Sequence, residues 1–412
     1  MNQSVLVIEP RDRTGGHVDT YIDPHTGSAI DVGVLYYHNI SVMTDFAQYV
    51  GVPMTAESLT TSDANKTHII DFSAGTAVPE DEIAALGDTT AAFLKYYSIL
   101  SEYPYLQSGF HLPSPVPEDL LLPWKDFIVQ HDLSGLAFSI DLFNQGWKDI
   151  LNMPTLYILK GFGQLLLQSF FAGYELATAR HNNQELFDAA VRKIGQDRVL
   201  LSSHVEHVSR SPDGVFLVAA TPKGQRLVKA RKLLITAPPL LDVLEPFMSL
   251  DDEEHDIFGR FDCGYYWNAL LRSAALPDAD GIYNVGSNNS YYIADQPGIL
   301  TIIPTGVSQL HRVYYGSPTY MTDEEVVDSI MTTTEKALQV IAVDGDLSVP
   351  FIRSHAPYHC TVSADDIRAG FYDRLQALQG KKSTYYTGAT FQAHDSGSIW
   401  LFTENEVLTM LV

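Results

Sequence analysis

The chain has 412 residues, with 50 Asp and Glu against 26 Lys and Arg and a formal net charge of −24. That field repels phosphate, which disfavours nucleic acid or an anionic membrane surface as a partner and points to a small molecule. Hydrophobic residues are 45% and aromatics 11% of the chain, enough for a packed core and no case for disorder. At roughly 150 residues per domain, two or three domains are expected.

Cys263 and Cys360 are the two cysteines. They make neither a disulfide framework nor a zinc set, and they read as buried hydrophobes; no metal site is expected. No apolar run reaches the roughly 18 residues of a membrane span, and no signal-type segment precedes the first strand. N-x-S/T sequons at Asn2, Asn39, Asn65 and Asn288 suit a secreted protein but also arise by chance.

In chain order, SVLVI at 4–8 reads as a buried parallel-type strand, and PRDRTGGH after it as turn chemistry. Helical spacing covers about 39–50 and 80–103, with Glu80, Asp81 and Glu82 in a first turn favoured by the helix dipole. Residues 105–195 stay mostly helical, broken by prolines, and read as a helical insertion. From 198 to 236, RVLLSSHVEHVSR, GVFLVAAT and QRLVKARKLLITA alternate with SPDG and TPKG turns and predict a small β-meander. A mixed region with a helix near 323–341 follows. The end returns to α/β character, with a helix near 364–378, the strand STYYTG and a helix from about 396.

Three segments carry chemistry. In VLVIEPRDRTGGH, a strand ending at Glu9 places a carboxylate where it can accept both hydroxyls of a ribose, Gly15 and Gly16 allow close backbone approach, and Arg11 and Arg13 can face phosphate. KLLITAPPLL runs a strand into a proline-fixed turn that lies flat against a ligand. In YYTGATFQAHDSGSIW, a strand, Gly388, a polar turn and a helix start at Ser396 bring helix amides toward a polar group. Each alone also reads as an ordinary turn, strand stop or helix cap. LYILKGFGQLLLQSF at 156–170 mimics a phosphate loop but has Leu166 at the third glycine position and reads as a helix lining an apolar cavity. No HExxH, GxGxxG, P-loop or serine elbow is present, and no motif points to a hydrolase.

These segments, in this order, resemble the flavin-containing amine oxidase superfamily, and the closing segment from GFYDRLQ onward looks like fungal flavoproteins of the β-cyclopiazonate dehydrogenase type. The family's E-x-R-D-R-x-G-G-R run aligns with Glu9 to His17, with His17 in place of the last Arg. The resemblance implies FAD as cofactor: Glu9 on the adenosine ribose, Arg11 beside adenosine and pyrophosphate, and Gly15, Gly16 and His17 near phosphate and flavin. It puts Gly33 of IDVG beneath the isoalloxazine, Val205 at adenine, Ala237 and Pro238 at the cofactor turn, and Gly388, Thr390 and Ser398 in the closing motif. Thr390 stands where an acid, and Ser398 where an aromatic ring, is expected, which argues against a simple monoamine substrate. Tyr36, Tyr37, His38 and Trp400 are substrate-side candidates or plain core aromatics, and no catalytic residue is assigned.

The implied fold is α/β: a Rossmann-type FAD-binding domain from 1–75, 198–240 and 355–412, with an α+β substrate domain from 76–197 and 241–354. In that fold the strand bearing the ribose acid is the second, preceded by roughly 25 to 30 residues with a GxGxxG turn, whereas four residues precede Val5. A lost beginning or a flavin-deficient remnant is therefore expected, with two buried strand edges unpaired. The implied function is FAD-dependent hydride removal from a C–N or C–C bond of a small, largely apolar substrate of secondary-metabolite type. The alternatives are a non-catalytic homologue or a redox-neutral FAD-dependent isomerase.

Overall fold

A computed structural model describes residues 4–59 and 66–411. Asn2 and Asn65 of the sequons lie outside them; Asn39 and Asn288 are exposed.

Two short parallel pairs organise the part that bears the three chemical segments. Val7–Ile8 pairs with Val199–Leu200, and Leu233–Ile235 pairs with Thr384–Tyr386. These are separate two-stranded sheets, so Val7–Ile8 and Thr384–Tyr386 each pair on one side alone among the described residues. The meander is present, as His204–Ser211, Gly214–Thr221 and Gly224–Ala230 in antiparallel register. Its outer segments are each split, however. RVLLSSHVEHVSR gives a two-residue parallel strand and then a hairpin strand, and QRLVKARKLLITA does the reverse. Sequence pattern is the same in both halves, because a β-branched run pairs equally well with a hairpin neighbour or a parallel one.

The second part is built on an eight-stranded mixed sheet in which Asp262–Ser273 lies between Leu310–Ser317 and Leu347–Ser354. Lys66–Asp71, within the residues assigned by sequence to the FAD part, pairs parallel with Asp280–Asn284 in this sheet. The helix expected near 323–341 forms as Asp323–Val340; it covers the sheet and starts at a Thr322/Glu325 capping box. The helical insertion forms as read, with Trp124–His131, Ser134–Phe143, Thr155–Gly161 and Gln164–Ala172 packed with the preceding Thr89–Leu100 helix around Tyr96, Trp124 and Phe162. A strand the sequence reading missed, Tyr174–Thr178, leaves this insertion and pairs with Met54–Ser58.

The cysteines correct the sequence reading. Cys263 and Cys360 are not free hydrophobes but a disulfide, bridging 97 residues of sequence. Asp262–Ser273 and Tyr358–Thr361 pair antiparallel, with Asp262 opposite Thr361, and this brings the two Cα atoms to 4.0 Å. Strand pairing across that separation is invisible to spacing rules.

Candidate active site: a cofactor cradle and its charged neighbours

Four backbone segments far apart in sequence meet at the carboxyl ends of the parallel strands, where open α/β sheets bind ligands. Glu9 follows Val7–Ile8. Its amide donates to Leu200 O at 2.9 Å, its carbonyl accepts Ser203 N at 3.0 Å, and this fixes the strand against the segment leading to Val205. The Glu9 Oε1 accepts the Arg11 amide at 2.9 Å, and its other oxygen has no partner among the described residues. Arg11 Nη1 holds the Gly16 carbonyl at 3.0 Å, which curls the loop back on itself.

The curl needs both glycines. Gly15 has φ 118° and Gly16 φ 58°, with open space around the latter's missing side chain. His17 O accepts Val34 N at 3.1 Å, and a Cβ on Gly33 would lie 1.9 Å from that same carbonyl. Glycine at 33 is therefore dictated by the crossing of two backbones.

The closing segment joins from the other side. Gly388, at φ 121°, sits with its missing Cβ 3.5 Å from Thr236 O, next to the exposed Ala237 and half-buried Pro238. Thr390 is buried and its Oγ1 has no hydrogen-bond partner. His394 lies 6.0 Å from His17 between ring centroids, and His355 stacks on His17 at 4.4 Å and 3°. Burial, then the neighbouring His355 and Arg11, push the His17 pKa down to about 3; burial and His17 push His394 to about 3 as well. The ring that replaces the family's last Arg is thus neutral. Arg13 does not replace its charge, because it is tied to the buried Asp19, which also meets His355 Nε2 at 3.2 Å. Arg11 is left as the cation of the loop.

The substrate-side candidates are placed differently. Tyr37 and Trp400 lie 6.2 Å apart in a small apolar core with Met43, Ala47 and Leu186, where Phe46 packs edge-on to Trp400 at 5.0 Å. Tyr36 is half-buried beside them in sequence. His38 is buried in an ionic cluster: Nδ1 lies 2.7 Å from Glu175 Oε1 and 3.0 Å from Ser169 Oγ, and Nε2 lies 2.8 Å from Asp395 Oδ2. Burial alone would lower its pKa, but Asp395 and Glu175 outweigh that and raise it to about 10. Ser169, His38 and Asp395 have the outline of a nucleophile, base and orienting acid. An imidazole already protonated between two carboxylates has no vacant nitrogen to take a serine proton, so the outline is not a hydrolytic triad. Asp395 also accepts Ser398 N at 2.6 Å and caps the Ser396–Phe402 helix.

Sequence reasoning missed Asp19, His355 and His394, which have no local motif. It also missed Lys160 and Asp141, both in the helical insertion. Burial lowers Lys160 to about 7 and raises Asp141 to about 7, and displaced values of this kind mark functional candidates. A lysine inside the apolar run LYILKGF was the one available signal.

The family description "Flavin containing amine oxidoreductase" matches residues 1–348. The chain belongs to this family. It is 33% identical to the FAD-dependent oxidoreductase oblC of Cochliobolus heterostrophus, over 100% of this chain and 86% of that one. It is 30% identical to the beta-cyclopiazonate dehydrogenase of Aspergillus flavus, over 99% and 88%. Among solved structures it is similar to a CLA-producing fatty acid isomerase from P. acnes, at TM-score 0.78 and 18% identity over 99% of this chain and 92% of that one. A cyclohexylamine oxidase from Brevibacterium oxydans IH-35A matches at TM-score 0.62 and 15% identity, over 100% and 94%. The fold is the Rossmann-type FAD-binding domain with an added substrate domain. The chain is an oxidoreductase enzyme and its cofactor is FAD. No helix among the described residues is long and apolar enough to cross a membrane.

Proposed function

We propose that this chain uses FAD to withdraw a hydride from a C–N or C–C bond of a small, largely apolar substrate. The observation that supports the reading is the Thr390 hydroxyl, buried without a partner two residues after the Gly388 turn, in a closing segment whose His394 lies 6.0 Å from His17 of the Glu9–Gly16 loop. A buried unsatisfied oxygen costs roughly 1–3 kcal/mol, and a bound polar group that satisfies Thr390 Oγ1 removes that cost. The residues present fit FAD on this test. Glu9 would accept the ribose hydroxyls, Arg11 would supply positive charge to the pyrophosphate, and Val205, Ala237 and Pro238 would supply backbone and apolar surface. Gly15, Gly16, His17, Gly33, Gly388, Thr390 and Ser398 would let the chain lie close to the ring system.

FAD supplies the redox chemistry as a two-electron hydride acceptor. The protein's own residues bind, orient and exclude water. His17 and His394, neutral at physiological pH, present polar edges without a charge, and the His38 cluster fixes the start of the helix that carries Ser398. Ser398 in place of an aromatic ring leaves one side open, which suits a substrate bulkier than a simple amine.

The test is anaerobic absorbance of the FAD-reconstituted chain during titration with amines and with polycyclic or polyketide-type substrates. Bleaching of the oxidised flavin band with formation of a dehydrogenated product is expected. Product without bleaching selects redox-neutral isomerisation, and a chain that never acquires flavin bands refutes the reading.

A further inference from the structure

We propose that the pocket beside Lys160 is an anion site that takes the carboxylate head of an otherwise apolar substrate. The inference rests on the FAD-dependent function proposed above and names its substrate class. Lys160 lies on Thr155–Gly161 and is 6% exposed. Its Nζ donates to Leu106 O at 2.9 Å, Gly109 O at 2.5 Å and Gln392 Oε1 at 2.6 Å, and sits 4.5 Å from the Phe110 ring centroid. All these partners are neutral. The acid that acts on it from a distance, Glu406, is already engaged with His111 Nε2 at 2.8 Å and with the Ser108 hydroxyl. With its pKa lowered to about 7 by burial, the ammonium form has no counter-charge beside it, and an anion placed against it recovers much of the cost of charging it.

The space beside Lys160 is built for such an anion. A cavity of about 80 Å³, room for a head group, is lined by Gln107, Gln164, Gln168, Gln392, Ser398, Tyr103 and five leucines. None of its lining residues is Asp or Glu, in a chain that carries 50 of them. Lys160 is its charged member. Gln164–Ala172 begins at the cavity wall, and Gly163 before it offers no side-chain cap. The first-turn amides therefore lack intrahelical acceptors and add positive potential. Of the three acceptors on Nζ, Gln392 Oε1 is the side-chain one, so a carboxylate oxygen replaces it without disturbing either carbonyl. Gln392 and Ser398 belong to the closing segment that also carries Thr390, which sets an anchored acid against the same segment as the proposed cofactor contacts. The leucines take the adjoining apolar chain.

The experiment is calorimetric titration of the FAD-loaded chain with octanoate, octylamine and 1-octanol. Octanoate is expected to bind at least tenfold more tightly than either control. Lys160→Met should lose that preference while the flavin spectrum is unchanged. Because a buried substitution can unfold the helix, Gln168→Glu provides an independent arm. This residue is exposed at the cavity rim, and its new charge should weaken octanoate and favour octylamine. Equal affinity for octanoate and octanol, or undiminished octanoate binding in both variants, overturns the proposal. The flavin spectrum of the same samples reads the FAD function separately. A colourless chain that still prefers octanoate supports the anion site, and a yellow chain indifferent to head-group charge refutes it.

Discussion

Replacing His38 with Gln tests whether the His38–Glu175–Asp395 cluster holds the two parts of the chain together through a permanent cation. The native ring is 5% exposed and bridges residue 175, at the end of the helical insertion, to residue 395 in the closing segment. Gln keeps hydrogen-bonding capacity but removes the charge, leaving two carboxylates facing each other. Breaking a buried pair in this way costs about 3–5 kcal/mol. The pH dependence gives a sharper signature. A folded pKa raised from 6.5 to about 10 means the cation's contribution is complete below pH 6.5 and is lost as pH rises through 10. At roughly 1.4 kcal/mol per unit the integrated shift is on the order of 4–5 kcal/mol. Asp395, with its pKa lowered chiefly by His38 against the opposing effect of burial, makes the opposite contribution. It is present above the usual carboxylate range and lost as pH falls through the depressed value. Urea unfolding of wild type and His38→Gln at pH 6.5, 8 and 9.5 should give a stability gap that is largest at pH 6.5 and narrows steadily toward pH 10. A gap that does not change with pH would refute the assignment of His38 as a cation, and no gap at pH 6.5 would remove the cluster from the stability account. Ser169→Ala, which touches the same ring, should leave turnover unchanged within about twofold, because the protonated His38 cannot activate it.

Three further outcomes follow from the cradle. Glu9→Gln should weaken FAD binding by roughly 10- to 100-fold, the loss of about 1.5–3 kcal/mol of charge-assisted hydrogen bonding, with the melting temperature of the flavin-free chain unchanged; equilibrium dialysis against FAD measures it. Gly33→Ala must push apart two backbones that leave 1.9 Å for a Cβ, and should cost about 3 kcal/mol or more in thermal unfolding. Thr390→Val removes a buried hydroxyl that has no partner. It should stabilise the flavin-free chain by about 1 kcal/mol and lower its FAD affinity, whereas equal effects on both forms would show that this oxygen does not face the cofactor.

Local pattern settled the elements whose signals are local. The SPDG and TPKG turns fix the meander's register through their glycines, whereas of the buried strand expected over 4–8 only the half-buried Val7–Ile8 pairs and Val5 stays exposed. The Glu9-to-Gly16 turn and the Gly388 turn were legible because carboxylate placement and positive φ restrict which residues can stand there. Tertiary structure alone decided the rest. The Cys263–Cys360 bond depends on the register of two strands 97 residues apart. The division of two apparent strands between hairpin and parallel pairs depends on which neighbours fold back to them. The charge states of His17 and His38, both imidazoles with the same intrinsic pKa, diverge to about 3 and about 10 because one is buried among other rings and the other between two carboxylates. Burial and the sign of neighbouring charge belong to the folded arrangement in space. A sequence records which titratable groups exist, and packing decides which of them carry charge.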